Sequence, residues 1–265
     1  MKNPKNIVLT GASGGLGQAL AAELAAPGRH VLLLGRDGKR LTKAADAVRE
    51  KGGEPHIAQA CHTRPDQLAE VLRDFDAHAP VDLMIANAGV KTGNRGGVEP
   101  AGQTARVVQV NLLGTIHGIE ALMPRMQARG RGTLAIVGSL AAIAPHADLL
   151  SYSATKAGLH AYAKALRRSI HGTGLRVVTV IPGFMDTPMT DRQLGPAPLC
   201  LPADRAAQII ARGLARGRTT IAFPKSLIAA SWLAERLPAP LSDAIMRQVR
   251  AEILPDPDEE SALRN

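Results

Sequence analysis

Ile7-Val8-Leu9-Thr10-Gly11-Ala12-Ser13-Gly14-Gly15-Leu16-Gly17 opens with four residues of strand type, turns on clustered glycines and continues into a helical pattern. A strand, a glycine turn and a helix N-terminus in that order form a cradle for phosphate. Backbone N–H groups and the helix dipole face the anion, and missing Cβ atoms let a pyrophosphate approach. The same turn also suits tight packing of a helix on a sheet. Two other motifs overlap it. Gly11-Ala12-Ser13-Gly14-Gly15 matches G-x-S-x-G, the nucleophile elbow of a serine hydrolase using Ser13. That elbow normally follows several strands, whereas this turn follows the first, and no Asp and His stand in the expected late positions. A Walker loop is excluded because no Gly-Lys-Ser/Thr follows.

Beyond the turn, β-branched or leucine-rich runs alternate with helical patterns. Strands are expected at 6–10, 30–34, 55–60, 81–86, 132–138, 175–181 and 219–223. Runs such as Val31-Leu32-Leu33-Leu34 and Val177-Val178-Thr179-Val180-Ile181 are almost continuously apolar. Strands covered on both faces read this way, so the sheet should be parallel, with helical crossovers between strands. The expected fold is α/β: a single-domain, doubly wound parallel sheet of about seven strands with helices on both faces. Residues 1–223 would form its core and residues 224–265 a helical extension packed on it. Four prolines and a glycine interrupt residues 186–202. A loop there would lie at the carboxyl edge of the sheet, where open α/β folds bind ligands. Residues 226–237 read as a short helix apolar nearly all round. Leu241, Ile245, Val249 and Ile253 then fall at four-residue spacing on one helical stripe.

Composition narrows the function. The chain has 265 residues, 45% of them hydrophobic, enough for a real core. Aromatics are only 2%, too few for the stacking platform of a single-strand nucleic-acid reader. Cys61 and Cys200 match no metal-ligand spacing and are too few for a disulfide framework, so no metal is expected and the compartment should be reducing. The polar N-terminus carries no signal-peptide core, and no apolar run reaches the length of a membrane span, so a cytoplasmic location is expected. The net charge of +9 concentrates in residues 151–250, with 14 basic against 5 acidic side chains. Such an excess attracts an anionic cofactor, substrate or membrane surface, but no Lys/Arg run is dense enough for DNA.

Tyr152-Ser153-Ala154-Thr155-Lys156 follows the fifth expected strand in a helical pattern. Residues four apart share a helix face, so phenol and ammonium can meet. A nearby positive charge favours phenolate and should lower the Tyr152 pKa toward neutrality, where tyrosine can exchange a substrate proton. Tyr162 has no such lysine and reads as packing.

With these residues in view, the sequence over 6–223 resembles the short-chain dehydrogenase/reductase family. The pattern T-G-x-x-x-G-x-G stands as Thr10, Gly11, Gly15 and Gly17, and the N-A-G element as Asn87-Ala88-Gly89. Asn111, Ser139, Tyr152 and Lys156 fall where the family has its active site, and Pro182-Gly183 with Thr187 follows the sixth strand. The resemblance implies a Rossmann-like fold and a homodimer or homotetramer. It also implies hydride transfer between a nicotinamide cofactor and a small-molecule carbonyl or secondary alcohol. In that scheme Tyr152 is the general acid and Lys156 tunes it and binds the nicotinamide ribose. Ser139 holds the carbonyl oxygen and Asn111 a relay water. Cofactor contacts would come from Gly11, Ser13, Gly15, Leu16, Gly17, Arg36, Asn87, Ala88, Gly89, Tyr152, Lys156, Pro182, Gly183 and Thr187. Where members often have an aspartate after the third strand, this chain has Cys61. A non-catalytic NADP(H)-binding regulator is the alternative, but such proteins usually lose the tyrosine or lysine.

NAD-preferring members usually place an acid at the end of the second strand. Here that position is Gly35, followed by Arg36, whose guanidinium can bind a 2′-phosphate. Asp37 stands where a general fingerprint expects its ribose acid, yet it reads as a helix cap. NADP(H) is therefore favoured over NAD(H), and with it the reductive direction. Met185, Met189, Leu194, Leu199 and Leu201 are the candidate substrate contacts. Residues 224–254, with their basic groups and Trp232, could wall the pocket, cover a subunit interface or lie on a membrane surface.

Overall fold

The computed structural model describes residues 3–91, 93, 99–100, 102–249 and 252–256. Strand β1 (Asn6–Thr10) lies between β2 (His30–Gly35) and β4 (Leu83–Ala86). Its side chains alternate between two cores, as the pleat requires. Ile7 and Leu9 pack with Leu16, Leu20 and Leu24 of α1 (Gly15–Leu24), whereas Val8 packs on the other face with Leu72 and Met84. Beyond β2 lies the edge strand β3 (Glu54–Gln59). On the other side β4 leads to β5 (Gly132–Val137), β6 (Leu175–Pro182) and, paired directly with β6, β10 (Thr220–Phe223). The order β10-β6-β5-β4-β1-β2-β3 is parallel throughout. The seven-stranded doubly wound sheet is thus as the apolar runs imply. From β1 the chain runs outward to β2 and β3 and then crosses back to β4 on the other side, and this reversal opens a crevice at the carboxyl end of β1.

Helices α2 (Gly38–Glu50) and α8 (Ala203–Ala215) join α1 on one face of the sheet, and α3 (Pro65–His78), α5 (Gly114–Ala128) and α6 (Leu150–Ser169) cover the other. Leu41, Ala44, Ala45 and Val48 of α2 recur at helical spacing and are buried. Asp37 caps α2, its Oδ1 accepting from Arg40 N at 3.0 Å, as its sequence position suggests. The short α4 (Gln103–Val107) runs into a π-helical turn at Val108–Leu113 before α5. On the α3–α5 face the buried Asp76 carboxylate accepts from Arg125 Nε at 2.6 Å, from Arg129 at 2.8 and 2.7 Å, and from Val81 N at 2.9 Å.

The proline-broken segment after β6 is not structureless. It contains β7 (Met185–Asp186), α7 (Pro188–Asp191), β8 (Gln193–Leu194) and β9 (Leu201–Pro202), with β7 pairing β9 in parallel. After β10 come α9 (Lys225–Ala234) and α10 (Ala239–Arg247). The expected stripe through Leu241, Ile245, Val249 and Ile253 does not form. Leu241 and Ile245 are exposed on α10, while Ile253 lies in β11 (Glu252–Ile253), antiparallel to β8 and fully buried. Its burial against Leu149 and Tyr152 outweighs helix continuation. Among the described residues no helix is long and apolar enough to cross a membrane.

Candidate active site

A cavity of about 820 Å³ runs along the carboxyl ends of the strands, from the glycine turn to the C-terminal segment. At the β1 end its wall is made by missing side chains. Gly11 adopts φ +66°, and a Cβ there would come within 2.8 Å of Ala88 Cα. On Gly15 it would meet Thr187 Cγ2 at 2.8 Å, which shows that Thr187 closes over the turn. Thr10 ties this end together, its Oγ1 accepting from Asn87 N and Ala88 N, both at 3.0 Å. The Asn87 side chain donates back to Thr10 O at 3.1 Å and Gly11 O at 3.2 Å. Ser13, Leu16, Gly17 and Gly89 also line this end.

Arg36 and Arg40 stand at the rim beyond Gly35. Asp37 is committed to its cap, with Arg40 Nε 4.0 Å from its carboxylate. His62, which the sequence reading passed over, is buried here. Neither ring nitrogen has a hydrogen-bond partner among the described residues. Burial, with Arg36 adding repulsion, pushes its pKa down to about 4, so the ring is neutral. Cys61 lines the cavity beside it, Sγ 3.0 Å from Thr63 Oγ1.

At the other end stand Ser139, Tyr152 and Lys156. Ser139 follows β5 and caps the turn Leu140–Ala142, its Oγ accepting from Ala141 N at 3.1 Å while also hydrogen-bonding the Tyr152 phenol. Lys156 is buried one turn along α6 from Tyr152, with Nζ 5.6 Å from the phenol ring centre and donating to Val137 O at 3.0 Å. The sign of the Tyr152 shift is opposite to that expected from sequence. Burial raises its pKa, opposed by the Ser139 hydrogen bond. Burial also lowers the Lys156 pKa to about 8.

Asn111 is fully buried behind this wall, on the π turn. Its Oδ1 accepts from Val90 N at 2.7 Å and its Nδ2 donates to Val90 O at 3.0 Å and Thr155 Oγ1 at 3.3 Å. A Cβ on Gly89 would lie 3.3 Å from Asn111 Oδ1 and 3.4 Å from Lys156 Nζ, so both polar groups converge on the space that glycine leaves. Pro182 and Gly183 line the floor after β6.

The substrate-contact expectations divide. Met185 and Met189 line the cavity; Leu194 does not, being 51% exposed. Strand alternation explains it: Gln193 of β8 turns inward and Leu194 outward. Leu199 is exposed too, and Leu201 packs against the core. Sequence reasoning missed Lys91, which is only 6% exposed and donates to Gln193 Oε1 at 2.8 Å. Burial and the charge of Arg192 lower its pKa to about 8. Arg192 donates to Lys91 O at 3.1 Å and pairs with Asp256 at 2.8 Å. The outer wall comes from the extension, through Leu227, Ala230 and Ala234 of α9 and Ile245 of α10. Apolarity all round α9 thus has a cause on one side, while Trp232 and Leu233 on the other are exposed. Ser13 makes no hydrogen bond to an Asp or His among the described residues, so a hydrolytic elbow is not assembled.

A family model for the short chain dehydrogenase matches residues 5–195. An uncharacterized oxidoreductase of Myxococcus xanthus is 33% identical over 247 residues, 93% of this chain and 98% of that one. A 3-dehydrosphinganine reductase of Arabidopsis thaliana is 29% identical over 197 residues, 73% of this chain and 59% of that one. Among solved structures, a short-chain dehydrogenase from Sphingobium yanoikuyae in complex with NADPH superposes with a TM-score of 0.77 at 26% identity, covering 92% of this chain and 96% of that one. With the glycine cradle, the Tyr152–Lys156 pair and the doubly wound sheet in one cavity, this chain belongs to the short-chain dehydrogenase family and is an oxidoreductase.

Proposed function

We propose that the protein reduces the carbonyl group of a small molecule with NADPH, using Tyr152 as proton donor. The observation that carries this reading is the convergence of Ser139, Tyr152 and Lys156, with Asn111 buried behind them, at the end of a cavity whose other end is a glycine cradle. The cradle fits a dinucleotide, because Gly11, Gly14, Gly15 and Gly17 line the cavity at the N-terminus of α1 and the two orphaned nitrogens of His62 lie there beside Arg36. Gly11, Ser13, Gly15, Leu16, Gly17 and Thr187 would hold the pyrophosphate. Asn87, Ala88, Gly89, Pro182, Gly183, Tyr152 and Lys156 would hold the nicotinamide end, and Arg36 the 2′-phosphate. When bound, the cofactor supplies hydride to the carbonyl carbon.

The chain's own part is to hold and move the proton. A Tyr152 pKa raised by burial keeps the phenol protonated at neutral pH, as a donor requires. Ser139 would share the substrate oxygen and stabilise the charge that develops there. As the phenol loses its proton, the Lys156 ammonium over its ring stabilises the phenolate. Asn111, locked by Val90 and Thr155, would hold a relay water beside Lys156, since both polar groups flank the space at Gly89. Asp37, occupied as a cap, leaves Arg36 as the group that meets the ribose, which supports NADP(H) over NAD(H).

Tyr152→Phe tests the assignment. Turnover of carbonyl substrates should fall by about 10²–10⁴-fold while NADPH still binds in a fluorescence titration. A variant with unchanged turnover would remove Tyr152 from the mechanism.

A further inference from the structure

The amino ends of β2 and β3, at the edge of the sheet opposite the cavity, hold a second cluster of ligating groups. In the parallel register His30 pairs with Glu54, and Leu32 with His56. Side chains two apart on a strand share a face, so Glu54 and His56 point to the same side. The ring contact between His56 and His30, 5.6 Å between centroids, brings His30 there as well. His30 Nδ1 and His56 Nε2 stand 3.4 Å apart. Glu54 Oε2 is 3.3 Å from His30 Nδ1, and Oε1 is 3.6 Å from His56 Nε2.

Those separations have a chemical meaning. Around a tetrahedral Zn²⁺ with bonds of roughly 2.0–2.1 Å, neighbouring ligand atoms lie about 3.3–3.4 Å apart. The two ring nitrogens stand at that spacing, the Glu54 carboxylate straddles them with one oxygen toward each, all three groups offer a ligand atom within 4.8 Å of the others, and the backbone below is set. His30 N donates to Lys5 O and Glu54 N to Arg29 O, both at 2.8 Å, while Phe75 of α3 meets the His56 ring edge-on at 5.3 Å. Two imidazoles and a carboxylate suit zinc-class ions rather than Mg²⁺ or Ca²⁺, which prefer oxygen ligands. The two histidine side chains are each 38% exposed, so an ion can enter and keep a coordination position for water.

We propose that His30, Glu54 and His56 form a binding site for a divalent transition-metal ion of the zinc class, tying the edge strand β3 to β2. The site shares no residue with the cavity, so it stands or falls independently of the reductase reading. Titration of the full chain with Zn²⁺ against a chromogenic chelator tests it. One equivalent should bind, and His30→Gln, His56→Gln and Glu54→Gln should each weaken it by more than about tenfold. Cys61→Ser and Cys200→Ser should not change it. Co²⁺ in place of Zn²⁺ should give ligand-field bands without a thiolate charge-transfer band. The far-UV circular dichroism and thermal unfolding of each variant report that it remains folded. Failure of the wild-type chain to take up Zn²⁺, or histidine variants that bind as the wild type does, would overturn the site.

Discussion

At the β1 end of the cavity, recognition depends on atoms that are absent. Gly11, Gly15 and Gly17 let the turn pack against Ala88, Thr187 and its own backbone, and Thr10 and Asn87 lock it from behind. At the β5–α6 end the wall is the reverse: ionisable side chains taken out of water, with Lys156 and Lys91 both buried and both pushed down to about 8. The first end tolerates no added atoms, whereas the second tolerates shape changes but depends on protonation. Substitutions at the first should therefore act on binding and stability, and changes at the second on turnover and its pH dependence.

The largest effect sharpens the first half of this contrast. A Cβ on Gly17 would sit 2.1 Å from Gly11 O, a backbone atom that cannot swing away. Gly17→Ala should therefore overpack the turn, costing about 1–3 kcal/mol of stability, and weaken NADPH binding by about tenfold to a hundredfold. Thermal unfolding and a cofactor titration measure both. A variant that binds NADPH normally would show that the cradle is looser than its geometry.

The next prediction addresses the charged end. A lysine whose pKa is depressed from 10.5 to about 8 loses its proton as pH rises through about 8. Reductive kcat should then fall by about tenfold per pH unit above that point, as the phenolate loses its cation. The sign for stability is opposite. Between about 8 and 10.5 the folded state holds fewer protons at Lys156 than the unfolded chain, so this group's contribution rises with pH. Lys91 shares the same range, and Lys91→Met separates them. The falling limb should persist in that variant. A limb that vanishes would transfer the titration to Lys91.

The same contrast explains what could be read without coordinates. The sheet was legible, because strands buried on both faces announce themselves as continuous apolar runs, and the glycine turn sits at a fixed place between strand and helix. Tyr152 and Lys156 were legible as a pair, since α-helical spacing alone sets their face. The direction of the Tyr152 shift was not, because it depends on Ile253 and Val90 closing over the phenol from distant parts of the chain. Ile253 followed helical spacing in sequence, yet a two-residue pairing with β8 captured it. That Leu194 lies outside the cavity was illegible for a related reason: its strand consists of Gln193 and Leu194 alone, too short to show alternation. His62, Lys91 and the His30–Glu54–His56 cluster carry no local signal. They acquire meaning only through crossovers and strand register.

The smallest effect concerns the rim of the glycine end, where one charged side chain supplements the backbone. Arg36 is exposed at the mouth, so water screens its charge and the lower part of the range for a charge-assisted pair applies, about 1.5 kcal/mol. Arg36→Asp should weaken NADPH binding by about tenfold, with NADH binding improved by a smaller factor. The cap at Asp37 and the charge of Arg40 remain to oppose that improvement. Because Tyr152, Ser139 and Lys156 lie at the far end of the cavity, kcat with saturating cofactor should change little. Parallel titrations with NADPH and NADH read the selectivity directly. If the preference survives the substitution, Arg40 is the group holding the 2′-phosphate, and the double variant Arg36→Asp with Arg40→Ala should then abolish it.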